Sequence, residues 1–312
     1  MSDVPLIVLV ILSVVAGAMV VALARRYPVG VASPAAIASA TESAEKSLVR
    51  HARLRSFVAA RRNPGTATGL VLTLALVLVL GAGLVLALLA YLIRSNPQLR
   101  SIDNGAANWG ADHATAFSTH GLNLVTDLGS WSVVAPLAIV VVVVESLRAP
   151  SRWIIPFMVL LMVGNEALML SLKDIVDRAR PTLNPITATL GPSFPSGHSA
   201  TAAAFYAGAA LLLARRRPRR WRTSLAGAAV AIAVGVAASR VLLDVHWVSD
   251  VVAGLLLGWG WFAICSIAFG GRLLHFGAPA EAIVGGAKRI EARRPTLPWA
   301  MRVRRTQPPR SR

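Results

Sequence analysis

The sequence predicts an all-α fold, a polytopic transmembrane helical bundle. Two compositional observations and one of pattern predict it. The chain has 312 residues, of which 55% are hydrophobic, with a mean hydropathy of +0.61. Only 15% of residues are charged, against about 25% in a soluble domain. The apolar residues fall in runs long enough to cross a bilayer core, which takes roughly 17–25 residues per helix. The apolar content excludes a disordered chain. The formal net charge of +18 would suit a soluble nucleic-acid binder, but such a protein would not carry these apolar runs. No nucleic-acid partner is therefore expected. One cysteine, Cys265, leaves no intrachain disulfide and no cysteine-based metal site.

Seven runs read as spans: 4–24, 68–93, 131–147, 153–172, 198–214, 223–243 and 248–269. They are expected to be helices because lipid leaves backbone groups no partner outside their own segment. The first carries Asp3 and no cation before it, and Arg25 and Arg26 after it. It therefore reads as a retained anchor, not a cleaved leader. The third is short, and a start near Leu122 would bring Asp127 to its outer end. In the seventh, Gly254-x3-Gly258 reads as close helix packing, open between packing inside the monomer and packing between monomers.

Cations fix the expected orientation. Of 32 Lys and Arg residues, eight lie in 25–67, two in 148–152, six in 215–222 and ten in 272–312. In a seven-span chain those four regions share one side. The other side keeps Arg94, Arg100, Lys173, Arg178, Arg180 and Arg240. The positive-inside rule puts the basic side in the cytoplasm, so the N-terminus is expected outside and the C-terminus inside a plasma or inner membrane. Residues 33–62 place Ile37, Ala44, Leu48, Ala52 and Phe57 near helical spacing among basic residues. They read equally as an interfacial helix on anionic lipid and as a solvated linker helix. The Pro- and Arg-rich tail from 278 reads as disordered, beside the anionic inner leaflet.

The few outer cations point to chemistry, since ionisable groups at membrane depth are usually functional. Lys173 and Arg180 are two helical turns apart and would share a face if the helix continues past 172, with Pro181 ending it. Pro195-Ser196-Gly197-His198 is a tight turn delivering His198 to the mouth of the fifth span. Arg240 ends the sixth span. His246 and Asp250 are four apart at the head of the seventh, within reach of each other. Three cations, two histidines, a carboxylate and a Ser-Gly turn suit a phosphate. Cations neutralise the phosphoryl group, and a hydroxyl and a glycine N–H add donors. A neutral imidazole held by Asp can attack phosphorus, and a second His can protonate the leaving oxygen.

These residues resemble the three-part signature of the type 2 phosphatidic acid phosphatases: K-x6-R-P as Lys173…Arg180-Pro181, P-S-G-H as Pro195–His198, and S-R-x5-H-x3-D as Ser239-Arg240…His246…Asp250. The resemblance covers roughly 120–270. It implies a six-helix phosphatase core plus one extra N-terminal transmembrane helix. The expected domains are 1–67 (anchor and basic loop), 68–271 (six-span phosphatase) and 272–312 (basic tail). It also implies that His246 is the nucleophile forming a phosphohistidine, that Asp250 orients it, and that His198 is general acid, then base. Lys173, Arg180, Ser196, Gly197 and Arg240 would bind the phosphoryl oxygens. No metal or other cofactor is implied, and no carboxylate or Cys/His cluster has metal-ligand spacing.

The expected activity is removal of the terminal phosphate from a membrane lipid phosphate or diphosphate at the outer leaflet. Candidate substrates are polyprenyl diphosphate (such as undecaprenyl diphosphate), phosphatidylglycerophosphate and phosphatidic acid. A lipid phosphotransferase on the same site, a haloperoxidase-type oxidation and a non-catalytic lipid-binding or transport protein are the alternatives. Asp174, Asp177, Arg178 and Asp244 read as local salt links or charge tuners, and His113 and His120 as solvated surface. The loop 94–130 could cover the site as a lid. Glu145 is expected beside Arg148, and Glu166 is expected to pair with a polar group on a neighbouring helix.

Overall fold

The computed structural model describes residues 3–26, 81, 83–181 and 191–273. Among these the chain forms nine helices and no strand. They are α1 (Val4–Arg26), α2 (Gly83–Ser95), α3 (Pro97–Asp112), α4 (Ala116–Asp127), α5 (Trp131–Arg148), α6 (Ile154–Val176), α7 (Gly197–Leu213), α8 (Arg219–Leu242) and α9 (Val248–Leu273). All lie in one unit spanning Met1–Leu274. The basic stretch 27–67, the first part of the predicted 68–93 span and the tail from 274 fall outside the described residues.

Five helices, α1, α5, α6, α8 and α9, are long and apolar enough to cross a membrane. Each coincides with a span expected from hydropathy. The expected span 198–214 is α7, whose 17 residues make about 26 Å of helix at 1.5 Å per residue. The protein is a multi-pass, all-α membrane bundle. Lipid-facing stripes recur at helical spacing: Ile155, Val159 and Val163 on α6 are 54–60% exposed, as a face against acyl chains should be.

The helix α7 is the centre of the bundle. It packs on α5, α6, α8 and α9, and ten of its residues are buried. Its sequence explains why. Ala200, Thr201, Ala202, Ala203 and Ala204 keep the surface thin, so neighbouring backbones come close, which is how helices associate where lipid is as apolar as leucine. Gly254 and Gly258 of α9 face this strip. A Cβ at Gly258 would lie 2.3 Å from the Ala200 carbonyl oxygen, and one at Gly254 would lie 2.5 Å from that of Ser196. The small-residue motif of the seventh span thus packs inside the monomer. Beyond it, Phe157, Leu161, Phe205, Leu212 and Cys265 fill the space toward the far end of the bundle.

The helix α1 lies antiparallel on α8. Gly17 and Gly227 meet backbone to backbone, Ser13 faces Gly235, and Arg219 Nη2 donates to the Ala24 carbonyl at 2.6 Å. The basic ends Arg25 and Arg26 therefore lie with the start of α8, whereas Leu6 packs against Gly121 of α4.

Three expectations need correction. The segment 94–130, read as a loop, forms α3 and α4. Asn96 caps α3, accepting from the N–H groups of Gln98 and Leu99, and Thr115 with Ser118 closes a reciprocal capping box on α4. Leu122 belongs to α4, and α5 starts only at Trp131. The turn through Gly129 separates them, because Gly129 sits against the His198 carbonyl where a Cβ would be 2.7 Å from the oxygen. Likewise α6 passes Lys173 but ends at Val176, where Asp177 turns into the left-handed region (φ 41°) and its N–H closes on the Lys173 carbonyl. Lys173 and Arg180 do not share a helical face.

Candidate active site

The site is built where five helix ends converge: the N-terminus of α5, the C-terminus of α6, the N-terminus of α7, the C-terminus of α8 and the N-terminus of α9. A cavity of about 280 Å³ opens there, lined by Lys173, Arg180, Gly197, His198, Arg240 and His246 among others. Six of the eight residues singled out from sequence line it. Ser196 and Asp250 stand behind it.

Arg180 enters from the loop after α6. That loop is pinned by Ser193, whose amide donates to the Arg178 carbonyl at 2.7 Å and whose hydroxyl donates to the Ala179 carbonyl at 3.0 Å. The guanidinium is then held by the carbonyls of Gly191 (3.0 Å), Pro192 (3.3 Å) and Val245 (2.9 Å). Its Nη1 also lies 3.1 Å from His246 Nε2. A guanidinium can only donate, so Nε2 is the accepting nitrogen and the ring proton belongs on Nδ1. There Asp250 Oδ2 is 3.5 Å away. His246 is 1% exposed, in the turn between α8 and α9. Burial outweighs the nearby carboxylate and pushes its pKa down to about 4, so the imidazole is neutral near pH 7. Burial likewise lowers the pKa of Arg180, which stays cationic.

Arg240, on the last turn of α8, is 8% exposed. Its Nη1 donates to Thr126 Oγ1 at 3.3 Å, and its Nε has no hydrogen-bond partner among the described residues. Arg240 itself lines the cavity, and a buried N–H that the protein leaves unpaired calls for a partner such as a ligand. The first turn of α7 adds more: its leading N–H groups have no intrahelical partners, and its dipole favours an anion. Gly197 lets that turn line the cavity, with Met169 as its nearest side-chain neighbour.

Ser196 caps α7 with its backbone. Its amide donates to the Asp250 carbonyl at 3.0 Å, and its hydroxyl, fully buried, accepts from Ser199. This bond ties the head of α7 to the head of α9. Glu166 lines the cavity and accepts from the Trp131 indole N–H at 2.9 Å, the neighbouring-helix partner expected for it. Glu145 pairs with Arg148 at 3.0 Å. His113 and His120 are exposed. The salt-link reading of Arg178 is met by two ion pairs, to Asp250 (2.6 Å) and to Asp103 (2.8 Å). Sequence reasoning missed Asp103, which is 147 residues from Asp250 and in no motif. It also missed Thr126 and Trp131. Only packing brings them in.

Residues 155–273 match the family model of the PAP2 superfamily. This region belongs to the PAP2 superfamily. Among curated proteins, the chain is 35% identical over 138 residues to phosphatidylglycerophosphatase B of Bacillus subtilis, covering 43% of this chain and 66% of the relative. It is 35% identical over 122 residues to the lipid A 1-phosphatase of Rhizobium etli, covering 36% of this chain and 48% of the relative. The chain thus spans just under two thirds of the first relative's length and about half of the second's. A crystal structure of a transmembrane PAP2-type phosphatidylglycerolphosphate phosphatase from Bacillus subtilis superposes with a TM-score of 0.57 at 27% identity, covering 63% of this chain and 98% of that one. The PAP2 region here runs from α6 to α9, four of the five helices whose ends build the cavity.

Proposed function

We propose that this PAP2 protein is an integral membrane phosphatase that removes the terminal phosphate of a lipid phosphate or diphosphate through a phosphohistidine. The observation that carries the reading is His246: buried, neutral, with Nε2 directed at Arg180 on the cavity wall and Nδ1 toward Asp250. In this scheme Nε2 attacks phosphorus, forming a P–N bond as the P–O bond to the lipid breaks. His198 gives its proton to the leaving oxygen. Water then attacks phosphorus, His198 takes the proton, the P–N bond breaks, and inorganic phosphate leaves. Lys173, Arg180 and Arg240, with the amides that open α7 at Gly197, hold the phosphoryl oxygens and offset the charge of the transition state. Ser196 contributes by bonding the α7 head to Asp250. These cations stand where a metal would otherwise be needed, so the activity is proposed to be metal-independent.

The relatives named for phosphatidylglycerophosphate and lipid A support a lipid phosphate substrate. Phosphatidylglycerophosphate, a polyprenyl diphosphate and phosphatidic acid all present the group this cavity suits. The site is proposed to face outward, with the N-terminus outside and the C-terminus cytoplasmic. In support, Arg26, Arg148, Arg152 and the basic turn 215–222 all lie at helix ends remote from the cavity. The proposed domain division is an anchor with a basic loop (1–67), a phosphatase core (68–271) and a basic tail (272–312).

Purified protein should release phosphate from one or more members of a lipid phosphate panel with chelator present. His246→Ala should abolish that release. Undiminished activity of H246A, or a strict metal requirement, overturns the mechanism. Cysteines introduced at 113 and 218 test sidedness in whole cells with an impermeant thiol reagent, and labelling at 218 alone would invert the topology.

A further inference from the structure

Behind His246 lies a buried ionic chain that none of the three motifs contains. Asp103, on the buried face of α3 with Ala107 and Gly110, is 1% exposed. Its Oδ2 accepts from Arg178 Nη2 at 2.8 Å and from the Ser249 hydroxyl at 2.6 Å, and its Oδ1 accepts from the Ser249 amide at 3.0 Å. Arg178 Nη1 donates to Ser249 Oγ at 2.7 Å and to Asp250 Oδ1 at 2.6 Å. Its guanidinium lies 5.3 Å from the Trp247 ring centre, and the Trp247 indole donates to the Ala179 carbonyl at 2.9 Å. The other oxygen of Asp250, Oδ2, accepts from the Trp247 amide at 3.1 Å and lies 3.5 Å from His246 Nδ1.

We infer that Arg178, held by Asp103, is a positioning residue for the reaction: its two-pronged grip on the Asp103 and Asp250 carboxylates sets the Asp250–His246 geometry. Asp250 has two oxygens, and Oδ1 is taken by Arg178, so the carboxylate cannot rotate and Oδ2 must point at the ring. Two nitrogens of one planar guanidinium serve two carboxylates from different helices, a fork that lysine cannot reproduce. Asp103 also caps α9 from outside, because Ser249 is in the first turn of that helix. The helix α3, which carries no motif residue, is thereby part of the machinery that aims the nucleophile. Arg178 touches no cavity wall, so it acts through Asp250 and not on the phosphate.

This inference rests on His246 being the nucleophile. The test uses the full-length protein in detergent with whichever lipid phosphate the wild type hydrolyses, and compares Arg178→Gln, Arg178→Lys, Asp103→Asn and His246→Ala. Misplacing a reacting group by about 1 Å costs roughly 10²-fold in rate. R178Q should therefore lose about 10²-fold in kcat and D103N about tenfold. KM should stay within about threefold, since Lys173, Arg180 and Arg240 are untouched. R178K, which keeps the charge but loses the fork, should recover less than half of the R178Q loss on a logarithmic scale.

D103N is isosteric and guards against a folding failure. Its elution as a monodisperse species with wild-type helical content makes its kcat interpretable even if R178Q does not accumulate. Unchanged kcat in D103N and R178Q, a loss confined to KM, or full rescue by R178K each overturns the positioning role. If instead wild type and H246A hydrolyse the lipid equally, the phosphohistidine reading itself has failed.

Discussion

Replacing Gly254 by alanine should damage activity more than stability. The new Cβ would sit 2.5 Å from the Ser196 carbonyl oxygen and 2.9 Å from Ser199 Cβ. An ordinary C···O contact is about 3.4 Å, so α9 must move from α7 by about 1 Å. Overpacking of that size costs about 1–3 kcal/mol, and the helix propensity of alanine over glycine returns about 1 kcal/mol. The net loss is about 0–2 kcal/mol. The catalytic loss is larger because the strain falls one turn from Asp250, whose carbonyl binds the Ser196 amide. A shift of about 1 Å between these two helix heads separates Asp250 and His246 from Gly197 and His198, at roughly 10²-fold in kcat.

Gly258→Ala is as crowded, with its Cβ 2.3 Å from the Ala200 carbonyl, but lies a further turn from the chemistry. It should lose similar stability and less rate. Gly105, exposed on α3 with nothing within 4 Å, is the control, and G105A should be neutral or slightly stabilising. Thermal midpoints in detergent and phosphate release measure both quantities. Wild-type kcat in G254A would refute the claim that the α7–α9 approach sets the site.

Other consequences are as direct. His246 has a folded pKa of about 4 against 6.5 unfolded. The unfolded chain therefore binds a proton that the folded one refuses between those values. Stability should be unaffected by this group above about pH 6.5. It should fall as pH drops, by about 3 kcal/mol in all below pH 4 at 1.36 kcal/mol per unit. A neutral His246→Asn variant that kept the same acid slope in its thermal midpoint would contradict the assignment. Trp131→Phe removes the indole donor from Glu166, which should leave a carboxylate beside Lys173 less restrained. KM for lipid phosphate should rise severalfold with kcat little changed, and an unchanged KM would argue that Glu166 does not shape the cavity. Gly17→Leu should push α1 off α8, because even a Cβ at Gly17 would lie only 2.8 Å from the Gly227 carbonyl oxygen and 2.9 Å from the Ala231 Cβ. The thermal midpoint should fall, whereas phosphate release at low temperature should persist, because α1 adds no residue to the cavity wall.

Much of the bundle was legible from hydropathy alone. A span is a local property: about twenty apolar residues must satisfy their own backbone in lipid, so runs in the chain and helices in the structure coincide. Short ordered spacings carried the motifs, and three of them named all six cavity-lining residues among the eight proposed. What spacing could not supply was rotation and closure. Helical periodicity carried on to Arg180 suggested a shared face with Lys173, whereas Asp177 turns the chain at the end of α6 and the guanidinium arrives from a loop. The hydroxyl of Ser196 read as a phosphate donor, yet burial turns it to Ser199 and leaves its amide to tie two helix heads together. The segment 94–130 lacked a long apolar run, so its two capped helices were not foreseen.

The membrane class, the spans and the motif residues followed from local pattern, because transfer into lipid and short-range spacing act on contiguous residues. The central place of α7, the Asp103–Arg178–Asp250 chain and the neutral state of His246 depended on the folded bundle. Each requires groups from separate helices to share a space from which water is excluded, and in the ionic chain the paired groups are 75 and 72 residues apart, so only packing brings them together.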